Sequence, residues 1–180
     1  FGNATTRGFI VERGDLTVIA GSYTAVGGTE TAPSAIVGNS SVDPAKLTLA
    51  SHQLTTAFSS IGLDPGTDGS VSVESGSTWT EQTRMVVGKA GSGALLIEEG
   101  AIVTSLETQI GADASGDGAV IVGLAPVQDA SAAQWTTGSI AVGLRGQGTV
   151  NHLGGTIRSH TVSVGVESGS RGTANIGSAS

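Results

Sequence analysis

The sequence predicts an all-β fold, a parallel β-helix (solenoid) of about six to seven rungs. Three observations predict it: a motif that recurs every 22 to 32 residues, apolar residues that alternate with period two, and 29 glycines in 180 residues. A repeat of this length is typical of stacked architectures, in which one unit cannot bury its apolar face alone. Alternation with period two indicates strands, and glycine is typical of turns with positive φ.

The recurring motif is an apolar run that closes with Ile-Gly or Val-Gly. The closing pairs are Val37-Gly38, Ile61-Gly62, Val87-Gly88, Ile110-Gly111, Val142-Gly143 and Val164-Gly165. After a Gly-rich turn, an opening strand is expected to place two apolar residues inward, so that successive rungs form columns through the core. The first predicted column is Leu16, Leu47, Val71, Leu95, Val120 and Val150. The second is Val18, Leu49, Val73, Ile97 and Val122.

A second turn and a corner residue follow each opening strand. The corner residue stands three positions after Gly76, Gly100 or Gly154 and is bulky and apolar. The predicted corner residues are Tyr23, Leu54, Trp79, Val103, Trp135 and Ile157. A third strand then leads to the closing pair, so each rung is expected to hold up to three short strands.

The division of the chain into segments follows from the same repeat pattern. Residues 14–165 are expected to form the β-helix rungs, 1–13 a partial N-terminal rung or linking strand, and 166–180 a partial C-terminal rung. The 32-residue interval between Gly111 and Gly143 predicts an insertion near 124–133. A propeller blade needs about 40–50 residues, roughly twice this unit.

Composition excludes several classes of function. The formal net charge is −7 and the eight basic residues are scattered, which argues against nucleic acid as a partner. Apolar runs fall far short of the roughly 20 residues of a membrane helix, so this chain is not expected to insert into a membrane. With no cysteine, the fold must depend on backbone ladders and packing.

Several stretches resemble the Gly-rich repeats of bacterial autotransporter passenger domains and related exported surface proteins. They are Gly69-Ser-Val-Ser-Val-Glu-Ser-Gly-Ser-Thr-Trp79, Gly93-Ala-Leu-Leu-Ile-Glu-Glu-Gly-Ala-Ile-Val103 and Gly148-Thr-Val-Asn-His-Leu-Gly-Gly-Thr-Ile157. The resemblance covers about residues 14–177 and implies a secreted, right-handed and often adhesive β-helix.

Catalysis is not expected, because the acidic residues are dispersed. Glu98-Glu99 is the only adjacent acidic pair, and neighbours on a strand point to opposite faces. A carbohydrate-active β-helix enzyme acting on a polysaccharide is the alternative, with Glu98, Glu99 and Asp129 as the acids to test.

Two turns share the pattern Asp-x-x-x-Asp-Gly and are the candidate metal sites. They contain Asp64 with Asp68 and Asp113 with Asp117, and oxygen-rich turns of this kind can hold calcium. The turns are expected two rungs apart, with Lys89 between them, and capping of backbone groups explains the aspartates without an ion. We therefore predict no metal and no cofactor. Trp135, beside the predicted insertion, is the candidate surface-recognition residue.

The sequence thus predicts an extracellular, non-catalytic rod on a bacterial cell surface, acting as a stalk, an adhesin segment or a filament subunit. The expected partners are further copies, through axial end-to-end association, or continuing solenoid repeats. A host surface, a neighbouring cell or a glycan is the other partner class considered.

Overall fold

The computed structural model describes residues 3–5, 9–12, 15–39, 43–123 and 132–177, with side chains from residue 15 onward. These residues are all-β and form two eight-stranded sheets. The strands are β1 (Asn3–Thr5), β2 (Phe9–Glu12), β3 (Asp15–Val18), β4 (Gly21–Val26), β5 (Thr29–Val37), β6 (Ala45–Ala50), β7 (Gln53–Ile61), β8 (Asp68–Val73), β9 (Thr78–Val87), β10 (Ser92–Ile97), β11 (Ile102–Ile110), β12 (Asp117–Val122), β13 (Gln134–Val142), β14 (Gln147–His152), β15 (Thr156–Val164) and β16 (Arg171–Ile176).

Each coil contributes one strand to each sheet. Six coils run from β4–β5 to β14–β15, and strands of successive coils pair in parallel. We call the sheet that contains β4 the first sheet and the sheet that contains β5 the second sheet. The predicted solenoid is therefore confirmed, with about six turns. The right-handedness implied by the resemblance stays a prediction.

The core consists of the predicted columns, with one correction. Leu47, Val71 and Leu95 pair in register in the first sheet, and the column continues through Val120 and Val150. The placement of Leu16 and Val18 in the first sheet was wrong. Both lie in β3 of the second sheet, where Val18 pairs with Val37. Tyr23 and Ala25 take their places beside Leu47 and Leu49. No glycine stands directly after Val18, as it does after the closing residues of the other rungs, and alternation alone does not distinguish the two sheets.

The corner residues form a column at the start of the second-sheet strands. Leu54, Trp79, Val103, Trp135 and Ile157 pair in register there. Tyr23 does not belong to this column, and Glu30 pairs with Leu54 in its place. The expected second and third strands of each rung are one strand of nine or ten residues, so a coil has two strands rather than three.

The glycine of each closing pair lies at the corner where the chain passes from the second sheet to the first. Gly62 has a φ of 69°, and a Cβ there would lie 2.1 Å from the Ser92 carbonyl oxygen of the next coil. Gly93 approaches Gly88 in the same way, since its added Cβ would lie 2.2 Å from the Gly88 nitrogen. Two backbones meet at this corner with no room for a side chain, which explains why the motif recurs.

The two strands at the N-terminal end of the stack pair differently from those of the six coils. β1 pairs antiparallel with β4, and β2 pairs antiparallel with β3. The predicted insertion near 124–133 lies mostly outside the described residues. Within the described ranges, no helix has the length and apolarity that crossing a membrane requires.

Candidate functional site

A groove runs along the second sheet, on the side that faces away from the core. Its wider part has a volume of about 600 Å³ and is lined by Phe58, Thr83, Arg84, Leu106, Glu107, Gly138 and Ser139. A second part of about 260 Å³ shares Phe58 and Arg84 and adds Lys89, Gln109, Asp113 and Arg145. We call these two connected parts the lateral groove.

One wall of the lateral groove arises from a bulge in β9. Thr56 pairs with Glu81, but Phe58 pairs with Arg84, so β9 holds one more residue than β7 between these pairs. The ladder to β11 shifts at the same place. A bulge bends a strand and redirects its side chains. Gln82, Thr83 and Arg84 are consequently exposed, whereas the β9 residues on either side are buried.

A buried hydrogen-bonded network supports the bulge from inside. Thr56 Oγ1 donates to Glu81 Oε2 at 2.8 Å, and Trp79 Nε1 donates to Thr56 Oγ1 at 2.8 Å. The Thr83 amide donates to Glu81 Oε1 at 3.3 Å, and the Thr83 hydroxyl donates to the Ala57 carbonyl oxygen. Burial raises the pKa of Glu81, and the hydrogen bonds to its carboxylate act in the opposite direction. The network fixes the backbone that carries Arg84.

Two oppositely charged residues face the groove without pairing with each other. Arg84 and Glu107 are register partners on neighbouring coils. The Arg84 guanidinium carbon lies 5.7 Å from the centre of the Phe58 ring, a cation–π distance. Glu107 Oε1 accepts a hydrogen bond from Gln109 Nε2 at 2.7 Å. Among the ion pairs of the described residues none includes Arg84.

Stacked turns form the opposite wall. The Lys89 amide donates to the Gly62 carbonyl, and the Asp113 amide donates to the Lys89 carbonyl at 2.7 Å. Lys89 Nζ lies 3.2 Å from Asp113 Oδ2, and Arg145 Nε lies 3.1 Å from Glu167 Oε1. Both pairs are partly exposed, so they orient the side chains and contribute little stability.

The candidate calcium turns occupy the same stack. Asp68 and Asp117 begin β8 and β12, and their residues are exposed, as is Asp64. Lys89, which was expected between the two turns, forms an ion pair with Asp113 of one of them. In the described part of the chain, no three His, Asp or Glu side chains are grouped to hold a metal ion.

The choice of Trp135 as a surface residue was wrong. Its relative exposure is 0%, because it lies in the inward corner column between Val103 and Ile157. Glu98 accepts a hydrogen bond from the Ser72 hydroxyl at 3.0 Å, in the turn after β10. Asp129 lies outside the described residues.

Phe58, Glu81 and Arg84 were missed by sequence reasoning. One signal was present: Trp79 and Val87 are eight positions apart, whereas Val103 and Ile110 are seven apart, as are Leu54 and Ile61. A corner-to-closing interval with one extra residue predicts a bulge in that strand. The position of Arg84 beside Phe58 depends on the stacking of two coils, which this interval does not reveal.

Comparison with known proteins gives one informative match. The uncharacterized lipoprotein YdeK of Escherichia coli (strain K12) is 34% identical over 123 residues, which cover 64% of this chain and 9% of that protein. The chain therefore spans a small part of the length of this curated relative. No protein-family model matches the chain, and no solved structure matches it significantly.

Proposed function

We propose that this chain is a non-catalytic, adhesive segment of a rod exposed on a bacterial cell surface. The observation that carries the proposal is the continuous parallel pairing of the described strands, from β4 to β16 in the first sheet and from β5 to β15 in the second, with a register shift at the β9 bulge. A solenoid of this kind extends along one axis, because each coil contacts only its neighbours. Such a shape suits a spacer or a display surface.

The curated relative supports the location. Its name describes a lipoprotein, and a lipid-modified protein is attached to a membrane through its acyl chains. The aligned region is a small fraction of the relative's length. Both points favour a segment that a larger, membrane-attached protein holds at the cell surface.

The positions of the acidic side chains favour a non-catalytic role. Glu81 is only 2% exposed and is enclosed by Trp79 and Thr56, so it does not reach solvent to act on a polysaccharide. Glu98 is engaged by Ser72. General acid–base hydrolysis of a glycoside needs two carboxyl groups facing one bond. Glu107 is the carboxylate that lines the wider part of the lateral groove.

Surface labelling tests the proposed location. An antibody raised against the 180-residue chain is applied to intact cells that produce the natural full-length protein, and again after permeabilisation. We expect equal labelling in both states, with an antibody to a cytoplasmic protein as the control that labels permeabilised cells alone. Labelling that requires permeabilisation would contradict the proposal.

An assay of polysaccharide cleavage tests the proposal that the chain is not an enzyme. The purified chain is incubated with acidic and neutral polysaccharides, and new reducing ends are measured. We expect none above the buffer control. Turnover that is abolished by Glu98→Ala or Glu99→Ala would instead support the carbohydrate-active enzyme.

A further inference from the structure

We propose that the lateral groove binds a carboxylated polysaccharide, with the Arg84 guanidinium holding a sugar carboxylate. This inference names the partner of the proposed adhesive rod and in that respect rests on it. The binding site is defined by the side chains of the groove alone. Its test therefore uses the isolated chain.

Arg84 has the properties of an anion-binding residue. It is exposed on the β9 bulge and lies over the Phe58 ring. No carboxylate of the described residues lies within 4.0 Å of its guanidinium. A guanidinium presents a planar fork of donors that binds a carboxylate with two parallel hydrogen bonds. Stacking on the ring restricts the side chain before a ligand binds, which lowers the entropic cost of binding.

The lateral groove holds three cations beside two carboxylates, Glu107 and Asp113, and of the cations Lys89 is paired with Asp113 and Arg145 with Glu167. Arg84, Lys89 and Arg145 line it, and they are three of the six Lys and Arg residues in the described ranges. The formal net charge of the whole chain is −7. The three cations and two carboxylates of the lining sum to a formal charge of +1 on a chain of net charge −7, so an anionic ligand is repelled less here than by the chain as a whole, and Arg84 is the lining cation outside the ion pairs of the described residues. Arg84 lies in β9, Lys89 lies in the turn directly after that strand, and Arg145 lies two turns further along the stack. An extended polyanion along the rod axis would therefore pass Arg84 and Lys89 first and Arg145 two coils further on.

The other lining groups favour a saccharide over an acidic peptide. Glu107 is a hydrogen-bond acceptor one coil from Arg84, and a sugar acid supplies hydroxyl donors beside its carboxylate. Leu106 is 65% exposed and offers an apolar surface to the C–H face of a sugar ring. A run of acidic side chains would supply carboxylates for Arg84 but no hydroxyl donors for Glu107.

Calorimetric titration of the 180-residue chain tests the proposal. The probes are a hexamer of galacturonic acid, the neutral galactose hexamer and hexaglutamate. We expect binding of the uronic acid hexamer that weakens as salt is raised, and much weaker binding of the other two. No binding of the uronic acid hexamer, or equal binding of either control probe, would overturn the proposal.

Substitution of Arg84 tests the site itself. Arg84→Gln should weaken binding by roughly 10-fold to 100-fold, the value of a charge-assisted hydrogen bond. Arg84→Lys keeps the positive charge but loses the planar pair of N–H donors. Its affinity for the uronic acid hexamer should lie between that of Arg84→Gln and that of the natural chain. Arg171→Gln, at an exposed position that begins β16 in the first sheet, is the matched control and should change affinity by no more than about twofold.

An unchanged affinity in Arg84→Gln, or equal losses in Arg84→Gln and Arg171→Gln, would overturn the assignment of the lateral groove. Circular dichroism verifies that each variant is folded. The titrations test the proposed polysaccharide partner, and the surface labelling tests the proposed location. A negative titration would therefore overturn the partner without bearing on the location.

Discussion

Glu81 is a buried carboxyl group at a ladder position where its register partner in the neighbouring coil, Thr56, is also polar. Burial raises its pKa above the ordinary value of 4.5, so between these two values the native state binds more protons than the unfolded chain. The contribution of Glu81 to the free energy of unfolding is therefore greatest at low pH. It decreases as pH rises from about 4.5 through the raised pKa.

Glu81→Gln should remove this pH dependence. Relative to the natural chain, the variant should gain stability as pH rises through that window, because the natural chain alone must bury a charge. Urea unfolding followed by circular dichroism from pH 4 to pH 8 measures the difference. Asp64→Asn controls for the loss of a negative charge at an exposed position. Two parallel profiles for Glu81→Gln and the natural chain would contradict the prediction.

At the residue scale, alternation predicts the inward side chains well and the outward ones poorly. Val71, Leu95 and Val120 were placed correctly because apolar residues two apart on a strand share a face. Trp135 was misplaced because its nearness to an insertion in sequence gives no information about the direction of its side chain. The role of Glu81 could not be predicted, since its partner Thr56 lies on the preceding coil and meets it only when the coils stack.

At the scale of elements, the unit of construction is the coil rather than the strand. Asp68 pairs with Ser92, so residues 68–91 are one coil in register, and the Ser92 amide already donates to the Thr67 carbonyl. Removing these residues brings β6 beside β10 and Leu54 beside Val103. Inward residues then still face inward residues.

Deletion of residues 68–91 should therefore leave a folded solenoid that is shorter by one strand spacing, about 4.8 Å. Its free energy of unfolding should be lower, because one set of coil-to-coil interfaces is lost. Thermal unfolding followed by circular dichroism checks this, with cooperative loss of β-structure expected at a lower midpoint.

Deletion of residues 68–77 is the matched control. It removes β8 and the following turn but keeps β9, so the chain passes between two second-sheet strands without crossing the first sheet. This variant should fail to fold cooperatively. Equal disruption by the two deletions would show that the coil is not the unit of construction.

The closing pairs explain why the element boundaries were predictable. Val37, Ile61, Val87, Ile110, Val142 and Val164 pair in unbroken register. Their spacing varies from 22 to 32 residues because the segments between the strands differ in length and because the bulge adds one residue to β9. The prediction of up to three strands in each coil separated a corner strand from a closing strand, but these two form one continuous second-sheet strand. Pro33 in β5 and Gly138 in β13 stand near the middle of their strands without ending them, so a glycine or proline does not by itself mark a strand end.

At the scale of the whole molecule, the two ends of the stack are unlike. At one end, β1 and β2 add antiparallel edges to the two sheets. At the other, β15 and β16 are the outermost strands, and their apolar side chains lack a covering coil in the described chain. Val164 is 48% exposed, whereas its register partner Val142 is 0% exposed.

An apolar hollow of about 280 Å³ opens at this second end, between the last strands of the two sheets. Its lining includes Val150, Ile157, Val162 and Ile176. Exposed apolar columns beside unpaired strand edges promote association. Two copies of this end can cover each other without displacing β1 or β2, and such a self-complementary contact closes at a dimer.

We therefore predict reversible dimerisation of the 180-residue chain through the end that carries β15 and β16. Val164→Lys should shift the equilibrium to monomer, because a dimer would bury an unpaired ammonium group. Val26→Lys is the matched control, since Val26 is a comparably exposed strand valine in β4, far from that end. Sedimentation velocity over a range of concentrations measures the equilibrium. A chain that stays monomeric throughout would contradict the prediction. Species whose size keeps increasing with concentration would indicate a head-to-tail contact. In such a contact, strands of the next copy would displace β1 and β2 from the sheet edges.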